Sequence, residues 1–367
     1  MDARPNDRIR GYVQGRLKQD FSVVSGDTDV YGNEVEPTSV LLDQLWLNFD
    51  VGHKVFITAG RQRVKWGAGR FWNPTDFLQP ARLDPLAVFD ERTGVALLKV
   101  HVPFEKTGTN LYVIGDVEGA DSIDQVGGAL RLEQVIGLTE VAVSGYLGKD
   151  RPQKVGAQVS FPLWVFDLRA EAALTHGDKT TYYKGNFDWG PLDDDGNASL
   201  FTIETPDTYK RKDDWIPQVV AGLEVPIKYN DEDSLYIGAE YFYNDAGYDD
   251  AELYPWLVFN EAFTPFYVGK HYAGAYVYVP SPGRWDDHSF TFSTLGNLSD
   301  QSFVSRVDWS VRALTFLSLN AYAAAHYGQE GELRFGIDVP PITGVLEEGI
   351  TVEPPLVDVG VGAQITF

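Results

Sequence analysis

Along most of the chain apolar and polar positions alternate one for one. At the carboxyl end Val357, Val359, Val361, Ala363, Ile365 and Phe367 share one side of an extended strand, while Asp358, Gly360, Gly362, Gln364 and Thr366 share the other. Strand side chains repeat with a period of two, so one face is continuously apolar and the other small or polar. The pattern recurs from the start. Ile9, Val13 and Leu17 oppose Arg10, Tyr12, Gln14, Arg16 and Lys18; Leu45, Leu47, Phe49 and Val51 oppose Gln44, Trp46, Asn48 and Asp50. It continues with Leu98, Val100 and Val102, with Val219, Ala221, Leu223 and Val225, with Leu235, Ile237 and Ala239, and with Leu317, Leu319, Ala321 and Ala323. Helical periodicity is almost absent.

Roughly sixteen such segments occur, each near the ~9–11 residues a tilted strand needs to cross a bilayer. Their connections alternate in length. Short ones lie near 51–53, 103–109, 135–138, 162–164, 226–233, 280–288 and 312–315. The intervening ones include the long stretches 22–39, 67–91, 177–214, 245–267 and 328–356. Short turns on one side and long loops on the other mark an up-and-down transmembrane barrel with both termini at the short-turn, periplasmic side. The expected fold is therefore all-β, an antiparallel transmembrane β-barrel of about sixteen strands, one domain over 1–367 with 1–7 as a periplasmic tail. A propeller needs a repeat with a signature per blade, and none is present. A soluble sandwich does not need so many strands whose apolar face ends in Tyr, Trp or Phe, as the aromatic girdles of membrane barrels do.

Composition narrows the partners. The 367 residues carry a net charge of -23 and no Cys, which argues against nucleic acid and excludes disulfides and thiolate metal sites. No apolar run reaches the length of a transmembrane helix. Met1 is followed by polar residues rather than a signal peptide, so the expectation is a mature chain with an added start methionine.

The closing strand, ending in Phe367, resembles that of Gram-negative outer-membrane β-barrels. The resemblance implies that Phe367 is the signal read by the barrel-assembly machinery. A second stretch, Gly60-Arg-Gln-Arg-Val-Lys-Trp-Gly-Ala-Gly-Arg-Phe-Trp-Asn-Pro-Thr-Asp76, is similar to outer-membrane barrel families with an Arg-Gln, Trp-Gly, Asn-Pro-x-Asp pattern after an early strand. The resemblance implies an outer-membrane location and a porin-like fold more than a substrate. The Pro-Glu-Phe-Gly-Gly-like motif of general porin constriction loops is missing. Should 67–91 constrict a pore nonetheless, Arg70, Asp76, Arg82 and Asp84 are the candidates.

Charges facing a lumen supply the remaining chemistry. Lys or Arg facing lipid costs ~2–4 kcal/mol at the midplane, whereas Thr58 and Gln62 should cost less there. This places Arg61, Arg63 and Lys65 in the lumen beside Arg10, Arg16 and Lys18, a basic wall. Asp167, Glu171, Glu224 and Glu240 form an opposed acidic wall, with Arg169 among them. Opposed walls set up a transverse field favouring polar solutes and ions; charges paired into a plug are the alternative. Asp193, Asp195, Asn197 and Glu204 have part of a calcium-loop spacing, but Ala198 replaces the required Gly, and an acidic loop tip is the stronger reading. The six His residues are scattered, so no catalytic site and no cofactor are expected. The expected function is passive diffusion of small hydrophilic solutes through a charged lumen. Expected partners are outer-membrane lipid and lipopolysaccharide, the barrel-assembly machinery, small polar solutes, and a homo-oligomer or a periplasmic or lipoprotein partner. A plugged sheath for a partner, or an outer-membrane hydrolase, are the alternatives.

Overall fold

A computed structural model describes all residues except 1, 20–22, 25, 27–33, 35, 80, 81, 83, 87–91, 200, 345, 347, 366 and 367. Phe367 therefore lies outside the described residues. The chain divides into two compact units, one of residues 1–67, 75–83 and 90–159, the other of 68–74, 84–89 and 160–367.

The first unit begins with β1 (Asp2–Asn6), β2 (Ile9–Gln19), β3 (Thr38–Val51) and β4 (Val55–Gln62). It continues with β5 (Val95–Phe104), β6 (Thr109–Asp116), β7 (Gly127–Ile136) and β8 (Thr139–Leu147). Then β9 (Gln153–Leu163) runs across the boundary into the second unit. From β2 to β8 every strand pairs antiparallel with the next in sequence. Within residues 1–7, β1 pairs with β2, Asp2 opposite Tyr12. Strand β4 stops at Gln62, short of Arg63 and Lys65.

The second unit holds β10 (Phe166–His176), the loop hairpin β11 (Thr181–Lys184) and β12 (Asp207–Lys210), then β13 (Trp215–Lys228) and β14 (Ser234–Asn244). After a short helix α1 (Tyr254–Phe259) come β15 (His271–Pro280), β16 (His288–Asn297), β17 (Ser302–Leu314) and β18 (Leu317–Gly328). A second loop hairpin, β19 (Ile337–Val339) and β20 (Ile350–Val352), precedes β21 (Val357–Ile365). The order β10-β13-β14-β15-β16-β17-β18-β21 is again antiparallel throughout, each strand beside the next once the loop hairpins are set aside. No described helix is long and apolar enough to cross a membrane. The fold is all-β and up-and-down, with short turns at one end and longer loops at the other. Connections 148–152 and 298–301 are the exceptions, short turns at the long-loop end.

Alternation decides which face is covered. In β3 Leu45, Leu47, Phe49 and Val51 are exposed, and in β21 Val359 and Val361 are 69% and 88% exposed. In a sandwich these rows would pack on a second sheet; here they are bare. The opposite face holds the buried residues. In the second unit Phe71, Trp72, Val220, Phe242, Tyr272, Tyr276, Leu295 and Val304 form one apolar cluster on it. Trp72 stacks on Phe242 at 5.5 Å and Phe71 meets Tyr276 edge-on at 5.7 Å. Such aromatic pairs contribute ~0.5–1.5 kcal/mol each beyond their burial.

Candidate functional site

Each unit holds candidate residues of its own. In the second, residues 68–74 lie against the buried face of β10 and β14. Glu171 Oε1 accepts the backbone N–H of Ala68 (2.5 Å) and Gly69 (2.6 Å). Glu240 accepts those of Arg70 (2.6 Å), Phe71 (3.0 Å) and Trp72 (2.9 Å). Five consecutive peptide donors thus end on two carboxylates, and charge-assisted bonds of this kind are roughly twice as strong as neutral ones. The indole of Trp72 donates to Phe266 O at 3.0 Å. Close approach requires glycine here: a Cβ on Gly69 would stand 2.0 Å from Trp72 O, and one on Gly274 2.7 Å from the Phe71 ring. Segment 68–74 thus packs on the buried face although the sequence has no porin-type constriction motif.

Arg70 alone of this segment sends its charge outward, its guanidinium 4.9 Å from the Tyr276 ring. Of the expected acidic wall, Glu171 and Glu240 hold the loop, and Glu224 meets Arg169 at 3.4 Å and takes the Tyr276 hydroxyl. Asp167 is exposed, opposite Glu224 in the ladder.

The first unit consumes most of its basic wall in the same way. Asp43, fully buried, lies 2.8 Å from Arg16 and 2.9 Å from Arg63. Arg16 donates two aligned hydrogen bonds, whereas Arg63 is an ion pair by distance without an aligned bond. Arg10 pairs with Asp2 at 2.9 Å. Arg61 corrects the expected wall. It stands opposite Leu45 and Ala96, on the exposed apolar side, while Thr58 and Gln62 are the buried residues of β4. The position is tolerated because it lies at the strand end, where the long side chain reaches Gly94 O (2.6 Å) and Glu118 (2.9 Å) in the adjoining loops. Lys65 is exposed; Lys18 has no described side chain.

Among the constriction candidates, Asp76 is buried and accepts from Arg92 at 3.1 Å. Burial pushes its carboxyl up to about 6, despite Arg92, the backbone N–H of Trp66 and nearby Lys65. Arg82 is exposed, and Asp84 accepts the N–H of Leu86 at 2.8 Å. The calcium-like spacing resolves into a loop tip: Asp193 accepts the N–H groups of Asp195 (3.0 Å) and Asn197 (2.7 Å). Glu204 pairs instead with Asp188 in a backbone bridge. Among the described residues no three acidic, His or Cys side chains gather as a metal site.

A network that the sequence did not signal sits in the second unit where the 329–356 loop meets the strand ends. Glu332 accepts from Tyr272 Oη (2.6 Å), Asn297 Nδ2 (2.9 Å) and Phe266 N, with Asp300 bonded to the same Asn297 and to Glu332 N. Burial pushes Glu332 up to about 8, and neighbouring Asp300 adds to the rise. Across pH 4.5 to about 8 the folded protein then holds a proton that the unfolded chain has released. Stability is fully present below the ordinary glutamate value and falls as pH rises toward about 8, by at most ~1.4 kcal/mol per pH unit. Glu332→Gln should flatten that slope in denaturant titrations run across the window.

The histidines make structural contacts. His101 stacks on Tyr112 and bonds Asn110, His288 bonds Trp309, His326 bonds Leu333 O, and His53 closes a tight turn with Asp50.

No protein-family model matches the chain, and no curated protein matches it in sequence. Solved structures do. It is similar to the outer membrane channel DcaP of Acinetobacter baumannii, at 11% identity over 99% of this chain and 82% of that one, TM-score 0.40. It is similar to a triple mutant of the Rhodopseudomonas blastica porin, at 11% identity over 97% and 98%, TM-score 0.44. OprB of Pseudomonas putida is 13% identical over 98% and 93%, TM-score 0.47.

Proposed function

We propose that the chain is an outer-membrane β-barrel of porin type, passing small hydrophilic solutes or ions by passive diffusion. One observation carries this reading: the long strands bare an apolar row on one face and turn a mixed row of polar, aromatic and small residues to the other. Val361 at 88% exposed and Asp43 at 0% are its two extremes. Lipid is the medium that such a bare face suits, and a closed sheet is the strand arrangement that satisfies every backbone donor there. Barrels of ~16–18 strands leave an aqueous channel. The 17 strands of the main sheet, one of them the short β1, agree with that size.

Chemistry here is selection rather than reaction. The paired Arg16–Asp43–Arg63 and Arg61–Glu118 groups stiffen the wall, and the clamped segment 68–74 narrows the interior. Lipid and lipopolysaccharide face the apolar rows, the assembly machinery takes the carboxyl end, and a homo-oligomer would form through the same apolar rows. No enzymatic role is proposed. The aromatic cluster around Trp72 favours one second reading, a plugged sheath for a partner protein. Single-channel recording of the pure protein in a defined bilayer separates them: discrete ohmic steps are expected, and a silent bilayer with folded, inserted protein would leave only the sheath.

A further inference from the structure

We propose that the solute route runs along the polar face of the first unit, and that Lys99 is the uncompensated charge that makes it favour anions. This rests on the channel reading and adds where the route lies and which sign it selects.

The ladder fixes the neighbours. Lys99 stands opposite Thr58 on β4 and Ile114 on β6, and Thr58 in turn opposite Asn48, which donates to it at 2.8 Å. The next row along the same face is Phe56, His101, Tyr112, Arg131 and Ser144. The neighbouring carboxylates are each taken by another group, Asp50, opposite Phe56, by His53. Asp116 accepts from Tyr146 (2.9 Å) and Arg151 (2.5 Å), Glu133 accepts from Arg131 (2.7 Å), and Glu118 from Arg61 (2.9 Å). His101 is turned to Asn110 at 2.9 Å. Among the described residues Lys99 has no ion-pair partner, unlike Arg10, Arg16, Arg61, Arg63, Arg131 and Arg151 of the same unit. A half-buried ammonium that nothing neutralises attracts anions.

The second observation is independent. Gln62 Oε1, Ser144 Oγ and Gln158 Oε1, all on side chains more than nine-tenths buried in this unit, have no hydrogen-bond partner in the protein. A buried polar atom left unpaired is costly, and water is the partner that a polar, roomy site supplies. In the second unit the unpartnered buried atoms, Asn73 Nδ2 and Oδ1, Trp256 Nε1 and Arg334 Nε, all lie off the main strands, and Trp72, Phe242, Tyr272, Leu295 and Val304 pack against one another over the buried strand face. The unpartnered strand acceptors and Lys99 belong to the same unit.

The chain has no Cys, so each introduced thiol is the only one present. Ser144→Cys, Gln158→Cys and, as the packed control, Val304→Cys are reconstituted in lipid vesicles and exposed to a negatively charged methanethiosulfonate. Labelling is read by intact mass. Modification of the first two and sparing of the third is the expected result; equal labelling or the reverse overturns the route. Lys99→Gln should then lower the anion-to-cation permeability ratio by about an order of magnitude, since one unit charge at ~5 Å in water favours an anion and disfavours a cation about fourfold each. Lys99→Arg should restore it, and an unchanged ratio in Lys99→Gln overturns the selectivity. A protein that carries no current defeats the channel reading, while the labelling pattern still decides the wet face.

Discussion

Removing both loop-holding carboxylates, in Glu171→Ala with Glu240→Ala, is expected to raise single-channel conductance and lower stability together. Five peptide N–H groups, from Ala68 to Trp72, lose their acceptors at once. Each buried donor left unpaired costs ~1–3 kcal/mol, more in sum than the segment gains by burying Phe71 and Trp72. The segment therefore leaves the interior instead of staying unsatisfied, and the lumen widens. Glu240→Gln should do less, since its amide oxygen still accepts from Phe71 and Trp72 while the Arg70 N–H alone loses its acceptor to the amide NH2. Planar-bilayer conductance and heat-modified gel migration read the two effects. A double variant that is folded and conducts like the parent would show that 68–74 does not limit flow.

Asp43→Asn is expected to destabilise the first unit by ~3–5 kcal/mol, the usual cost of breaking a buried ion pair from one side. Arg16 and Arg63 both converge on this carboxylate, and its side chain is wholly buried. Taking away one arginine should cost less than taking away the acid, because the second still neutralises it. Combining Asp43→Asn with Arg16→Gln and Arg63→Gln should recover most of the loss, since no buried charge is then stranded. Denaturant midpoints in detergent, run as a mutant cycle, give the coupling directly. Additive losses would mean that the three groups are not one unit.

Alternation made the strands legible, and the connection lengths made their order legible, because lipid leaves period two undisturbed over whole strands. The turns at Gly52–His53, Gly137–Leu138 and Trp164–Val165 fall where the short connections were read. Side-chain partners were less visible. The parity of β3 flips between Leu42 and Leu45, and the ladder to β2 shifts register there. Asp43, at that irregularity, became the acceptor for two arginines, and the paired leucines Leu41-Leu42 were the signal available. Arg61 misled because a long side chain can return from the apolar side at a strand end. Glu171 and Glu240 were read as a wall facing solute, since sequence does not tell which backbone will occupy a carboxylate 102 to 170 residues away.

That separation has a consequence for biogenesis. Residues 68–72 emerge early from synthesis, but the carboxylates that seat them arrive with β10 and β14. The segment must wait, its five amides solvated, until most of the sheet has been delivered to the membrane. Docking this far-reaching pairs late with slow, non-local folding. A chain halted before Ser234 would lack the Glu240 seat altogether, so premature termination there should yield an intermediate with an undocked, protease-accessible stretch around Trp72.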